Sequence, residues 1–249
     1  MFKRKLRKSI ASILTGATVL LTVNAFALVP TIAQAAVGDL VKSADSGTVH
    51  VVLADGESIC SLTSEGHYDM WAQYKAEGVG RWQDVSTVDT STYTDSGVCS
   101  LRVGSLVRTA DNPEVFVIQS GNTKRGFDAW ETFVADGYGS GGVYFVTDAA
   151  LAGYTTGTQI TSATTAAEIR EGQLVKYASA ATVYYVAKED SALVKREVTN
   201  EDAYFSNFGI NWNLVITVPD TETYTTSASQ ITGADTAINR PVAIVTTPP

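Results

Sequence analysis

Four tryptophans, two cysteines, two histidines and scattered carboxylates are the groups of this 249-residue chain with chemistry to offer. Trp71, Trp82, Trp130 and Trp212 could present flat indole faces to sugar rings, and they are the candidate ligand-binding residues. Their placement on helical or i, i+3 apolar faces argues that most of them fill cores instead. Glu131 and Asp136 could in principle form the carboxylate pair of a glycosidase, but carboxylates at unrelated places along a repetitive chain are usually solvated surface. His50 falls in an expected strand and His67 at an expected helix start, neither beside a recurring Ser or Cys partner, so both read as structural or exposed. There is no G-x-S-x-G elbow, P-loop, H-E-x-x-H or helix-opening G-x-G-x-x-G in the sequence. No enzyme is expected. The loops Asp45-Ser46-Gly47, Asp55-Gly56-Glu57 and Asp111-Asn112 carry oxygen ligands that suit calcium. None has the alternating spacing that wraps the ion, so ordinary Asp/Gly turns are the better reading and no metal or cofactor is expected.

Charge narrows the partners. Lys and Arg number 18 against 26 Asp and Glu, a net −8, and five of the basic residues (Lys3, Arg4, Lys5, Arg7, Lys8) precede residue 9. Residues 1–35 contain no acid, so the remainder carries 13 basic against 26 acidic side chains, or −13. Such a surface repels phosphate backbones and argues against nucleic acid.

The basic start is followed by an uncharged, mostly apolar stretch from Ile10 to Val29, then Pro30 and Ala33-Gln34-Ala35. That order predicts a secretory signal over 1–35 cleaved after Ala35. An uncleaved anchor is the alternative, and it would be the chain's one contact with membrane. Either way the rest is exported, and the expected location is secreted or cell-surface. Export makes Cys60 and Cys99 readable as one disulfide closing a 38-residue interval, worth about 3–4 kcal/mol; two separate buried thiols are the alternative.

The elements that must position these residues come in copies. Gly38-Asp39-Leu40-Val41-Lys42 recurs as Gly104-Ser105-Leu106-Val107-Arg108 and Gly172-Gln173-Leu174-Val175-Lys176, at spacings of 66 and 68. Eleven residues after each glycine begins a β-rich run at Val49, Val115 or Val183. A polar turn, a third strand (Ile59–Leu62, Lys124–Phe127, Lys195–Val198) and an aromatic helix follow. The helix carries Tyr68, Trp71 and Tyr74, then Trp130 and Phe133, then Tyr204, Phe205 and Phe208, with Gly78, Gly137 and Gly209 as its stops. Trp82-Val85-Val88 matches Trp212-Val215-Val218, whereas the second copy offers Gly142, Phe145 and Asp148, so its packing should differ there. Tyr93, Tyr154 and Tyr224 close the three patterns, and Ser/Thr/Ala-rich segments at 155–167 and 221–236 read as extended connecting loops.

The expected fold is α+β and β-rich: three tandem small modules, each of three or four short strands and one short helix. Their bounds are 36–103 (with the disulfide), 104–171 and 172–249. Arg102 and Arg170 precede the second and third glycines, and Asn239-Arg240-Pro241-Val242 stands in the same register. The C-terminus therefore reads as the opening strand of a truncated fourth copy, expected to complete the third module's sheet.

G-x-L-V-[KR], V-[YF]-[YV]-[VI], Lys-Arg plus an apolar residue, and then an aromatic helix together resemble the repeats of about 60 residues in surface-layer-type and other exported envelope proteins of candidate-phylum bacteria and some Gram-positives. The resemblance covers residues 37–245. The first copy departs from it with Glu57-Ser58-Ile59 in place of the basic pair, and no copy has the Phe-Pro step. It implies an exported, non-catalytic structural or adhesive role, with other surface proteins or cell-wall polymer as partners and self-association as an option. A secreted glycan- or wall-binding protein is the alternative.

Overall fold

A computed structural model describes residues 34–71, 84–161 and 170–244. The expected leader up to residue 33, and Tyr74, Gly78 and Trp82, lie outside the described residues. Three sheets and a few short helices make up the rest, a β-rich α+β fold.

Each sheet starts from the same turn. The N–H groups of Asp39, Ser105 and Gln173 donate to the carbonyls of Ala36, Arg102 and Arg170, with Gly38, Gly104 and Gly172 third in the turn at φ +88°, +84° and +85°. A type II turn demands that conformation, and glycine adopts it without steric cost. The glycine N–H groups then donate to Val52, Ile118 and Val186, each at 2.8 Å, which fixes the register of the first hairpin.

In the first sheet, β1 (Leu40–Lys42), β2 (Val49–Val52) and β3 (Ser58–Leu62) run antiparallel, while β4 (Val85–Thr87) pairs parallel with β1 and β5 (Thr94–Val98) parallel with β3. The second sheet has the same order: β6 (Leu106–Arg108), β7 (Phe116–Gln119) and β8 (Thr123–Gly126), with β9 (Val143–Phe145) parallel to β6 and β10 (Thr155–Thr156) parallel to β8. In the third, β11 (Leu174–Tyr177), β12 (Val183–Glu189) and β13 (Ala192–Val198) are flanked by β14 (Val215–Val218), parallel to β11. Parallel bridges from Lys195 to Thr226 and from Val198 to Ile231 lie on the far side of β13. Where they are described, the Ser/Thr-rich segments add a parallel edge to their sheets.

One expectation fails here. The second sheet keeps its fourth strand: β9 begins six residues after Gly137, as β14 begins six after Gly209. Aligning that stretch through Gly142 and Phe145 displaced it by two residues; Val143 is the counterpart of Val85 and Val215 in pairing with the opening strand.

A helix follows the third strand of each sheet: α1 (Glu65–Trp71), α2 (Trp130–Ala135) and α4 (Glu201–Phe208), with short α3 (Asp148–Leu151) and α5 (Thr236–Asn239) elsewhere. Alternation along the strands sends successive side chains to opposite faces. Leu40, Val51, Cys60 and Leu62 enter a cluster with Met70 and Trp71 of α1 and with Val107, Phe116 and Ile118 of the second sheet. Leu106, Val117 and Phe127 point the other way, to Phe133 of α2 and to Val175, Val186 and Ile216 of the third sheet. Leu174, Tyr185 and Val198 then pack on Tyr204 and Phe208 of α4. The second and third sheets are therefore covered on both faces, which explains the near-continuous apolar runs that mark their strands.

The C-terminal segment does not complete the third sheet. Ala243 bridges antiparallel to Cys99, the N–H of Ser100 donates to Val242 O at 2.7 Å, and that of Ile244 to Val98 O at 3.0 Å. Ile244 is buried with Tyr154 and Ala150 between the first two sheets. The edge of β13 is already occupied by the chain from Thr225 to Ile231, so the last strand finds its partners beside the first sheet.

Cys60 and Cys99 form the expected disulfide, with both residues fully buried. Replacing both by alanine should lower unfolding stability by about 3–4 kcal/mol, the chain-entropy value for a loop of this length. Urea melts of the variant and the parent check this, and coincident midpoints would contradict it.

His67 is fully buried on α1. Its Nδ1 accepts from the Thr63 N–H, so Nε2 carries the proton and donates to Ser100 O at 3.2 Å, the carbonyl that also receives Trp71 Nε1–H at 2.8 Å. Burial pulls its pKa from 6.5 to about 4, partly opposed by that carbonyl. The unfolded chain thus takes up a proton that the folded one refuses. This contribution to stability is complete above about pH 6.5 and falls as pH drops toward about 4, by about 3 kcal/mol. Urea melts at about pH 7 and about pH 4 should show a His67→Gln variant losing less stability than the parent; equal slopes would refute the assignment.

Candidate functional site: three aromatic clefts

The same corner of each sheet is hollow. Val49 pairs with Leu62, Val183 with Val198, and the Phe127 N–H donates to Val115 O. That register makes Glu65, Trp130 and Glu201 equivalent as first residues of their helices, and Tyr68, Phe133 and Tyr204 equivalent one turn later. The segment leading into the second strand, the end of the third strand and the first helical turn enclose a cleft in all three sheets.

The first cleft, about 660 Å³, is bordered by Thr48, Ser61, Thr63, Glu65 and Tyr68. The second, about 410 Å³, is bordered by Asn112, Glu114, Asp128, Trp130 and Phe133. The third, about 290 Å³, is bordered by Thr182, Glu197, Glu201, Tyr204 and Trp212. Volumes near 300 Å³ and above are in the range of small-ligand sites.

A core ring and a stacked indole recur in two of them. Trp212 lies on Tyr204 with centroids 3.9 Å apart and planes 11° apart, and it remains 46% exposed. Trp130 lies on Phe133 at 4.9 Å and 28°, 53% exposed. The rings beneath are buried: Phe133 lies among Phe127 and Tyr138, and the Tyr204 hydroxyl donates to Asn211 O at 2.7 Å while burial pushes its phenol pKa up. The helix supporting the third cleft is anchored by Asn200, whose side chain accepts from the Ala203 N–H at 2.8 Å.

The tryptophan candidates therefore divide. Trp71 is 7% exposed and fills the core as expected, but Trp130 and Trp212 depart from that expectation and stand half exposed at cleft rims; Trp82 lies outside the described residues. The i, i+3 spacing correctly places Trp130 with Phe133. It does not reveal that the first helical residue has no preceding turn to cover it. Tyr68, Glu65 and Glu201 carry no ligand signal of their own in the sequence; their equivalence to Trp130 and Phe133 emerges only once the helix starts are aligned.

The other candidates are engaged elsewhere. Asp136 pairs with buried Arg170, apart from exposed Glu131. Asp55 Oδ1 accepts the N–H groups of Glu57 and Ser58, and Asn112 Oδ1 that of Glu114, so these loops are turns using their own side-chain oxygens. Among the described residues no cluster of three or more His, Cys, Asp or Glu side chains has metal-binding geometry, and no helix is long and apolar enough to cross a membrane.

Comparison of the chain with family models, curated proteins and solved structures finds no match.

Proposed function

We propose that the chain is an exported, non-catalytic structural or adhesive protein of the cell surface, built from three copies of one sheet-and-helix unit and holding other surface proteins or wall polymer. The observation that carries this reading is the packing of three sheets that share one four-strand order, with two apolar clusters drawing on neighbouring sheets. A unit of about 66 residues gains its core by sharing it, as repeat proteins do. The signal-like segment at 1–35 would deliver the array outside the cell, and its acidity favours solubility and cation-mediated association there.

Fractionation of the producing cells tests the reading. Retention in the envelope, released by a chelator, is the expected result; free release into the medium with no envelope-bound pool would overturn it.

The half-exposed indoles favour a second reading, a binder of wall glycans. Trp130 and Trp212 should each contribute emission that acrylamide quenches, and Trp71 should resist. Trp130→Phe and Trp212→Phe should each remove part of the quenchable fraction. A fraction unaltered in both variants would count against the rim positions.

A further inference from the structure

The three clefts recur at one structural position and each sets a flat ring beside carboxylate groups, with amide side chains in the second and third and hydroxyls in the first and third, which restricts what they can hold. Glu65, Glu114, Asp128, Glu197 and Glu201 border them, in a chain already rich in acid, so an anionic ligand meets repulsion in each cleft. A quaternary ammonium favours rings arranged around it as a cage. Here the indole and the ring beneath it lie nearly parallel, 11° apart in the third cleft and 28° in the second, so they offer a stacked pair with one outward face. A flat apolar face beside hydrogen-bonding side chains suits a ring with C–H groups on one side and hydroxyls around its rim.

Two routes lead to this arrangement. In the third unit the indole comes from Trp212, in the 3-10 turn Trp212–Leu214 ahead of β14. In the second it comes from Trp130, at the helix position where the other units have Glu65 and Glu201. The turn position is filled there by Ser140, two residues from Gly142. An indole reaches the same core ring from either side, so the platform recurs although the residue supplying it does not. Each indole covers its core ring with one face, and the half-exposed opposite face is the part that this packing does not use.

We infer that the second and third clefts are carbohydrate subsites, each stacking one pyranose of an uncharged glycan on an outward indole face and hydrogen-bonding its hydroxyls through the rim. Trp212 and Trp130 are the platforms. Glu201 in the third cleft, and Asp128 and the Asn112 Nδ2 group in the second, are placed to meet ring hydroxyls. This rests on the adhesive reading and supplies its ligand class.

The test titrates the full chain with chitotetraose and cellotetraose, following tryptophan emission. Shallow single-platform subsites should give saturable changes with a dissociation constant of about 1 mM for at least one oligosaccharide. Trp130→Ala and Trp212→Ala should each remove about half of the signal change, and together abolish it. Glu201→Ala, which leaves the stack in place, should weaken the third site by about threefold or more without moving the melting temperature. The inference is overturned by no response to either sugar at about 10 mM, by binding that survives loss of both indoles, or by saturation with choline instead. Envelope retention without sugar binding would sink the subsites and spare the surface role. Sugar binding by a freely released protein would do the reverse.

Discussion

Gly104→Ala should destabilise the protein by about 3–5 kcal/mol, more than any surface substitution. Two costs combine. At φ +84° an L side chain is strained by about 1–2 kcal/mol. The new Cβ would also fall 2.2 Å from Gly172 O, and Gly172 in turn has no room for one, its Cβ position lying 2.4 Å from Gly104 N. The two turns that open the second and third sheets meet here backbone to backbone, so relief requires parting the sheets, an overpacking penalty of about 1–3 kcal/mol or more. Gly97 separates the terms. It has a similar φ of +82° with nothing within 4 Å, so Gly97→Ala should lose only about 1 kcal/mol. Because Gly104 and Gly172 share one contact, the double variant should lose less than the sum of the singles. Urea melts of the four variants check the ordering; equal losses at Gly97 and Gly104 would show that φ alone matters and that the contact is relaxed cheaply.

That contact marks the limit of what the amino-acid order discloses. The glycine blocks, the strand eleven residues on and the aromatic helix are all local, set by turn chemistry and by period-2 or i, i+3 patterns, and each is legible. The cleft rings Tyr68, Phe133 and Tyr204 are legible as helical aromatics, but not as floors of open clefts. What lay beyond reading was how units meet. Ala243 pairs with Cys99 across 144 positions, and no local signal says which sheet edge stands open. Arg102 and Arg170 are visible as matched residues before two glycines, yet their partners depend on the neighbouring unit. Exposure of Trp130 and Trp212 is likewise decided by helix starts and neighbouring loops rather than by their own spacing.

The two arginines at the openings of the second and third sheets reach in opposite directions along the chain. Arg102, ahead of the second sheet, donates to Asn207 O at 2.6 Å and lies over Phe208, at the end of the third unit's helix. Arg170, ahead of the third sheet, pairs with Asp136 at the end of the second unit's helix and lies over Tyr138. Burial lowers the Arg170 pKa to about 10, so the guanidinium stays charged at neutral pH. Both members of that pair are nearly inaccessible, with side chains 0% and 5% exposed. Arg170→Met should therefore destabilise by about 3–5 kcal/mol, because it strands the Asp136 carboxylate without its countercharge. Adding Asp136→Leu should recover most of the loss, since a well-packed apolar pair often equals or exceeds a buried ionic one. Arg196 supplies the contrast. Its bridge to Asp235 is 2.8 Å long, but the side chains are 14% and 23% exposed, so Arg196→Met should cost about 1 kcal/mol. A double variant no more stable than Arg170→Met would mean that the guanidinium is needed for its own packing over Tyr138, and the crossing arginines would then act as spacers between units instead of charge locks.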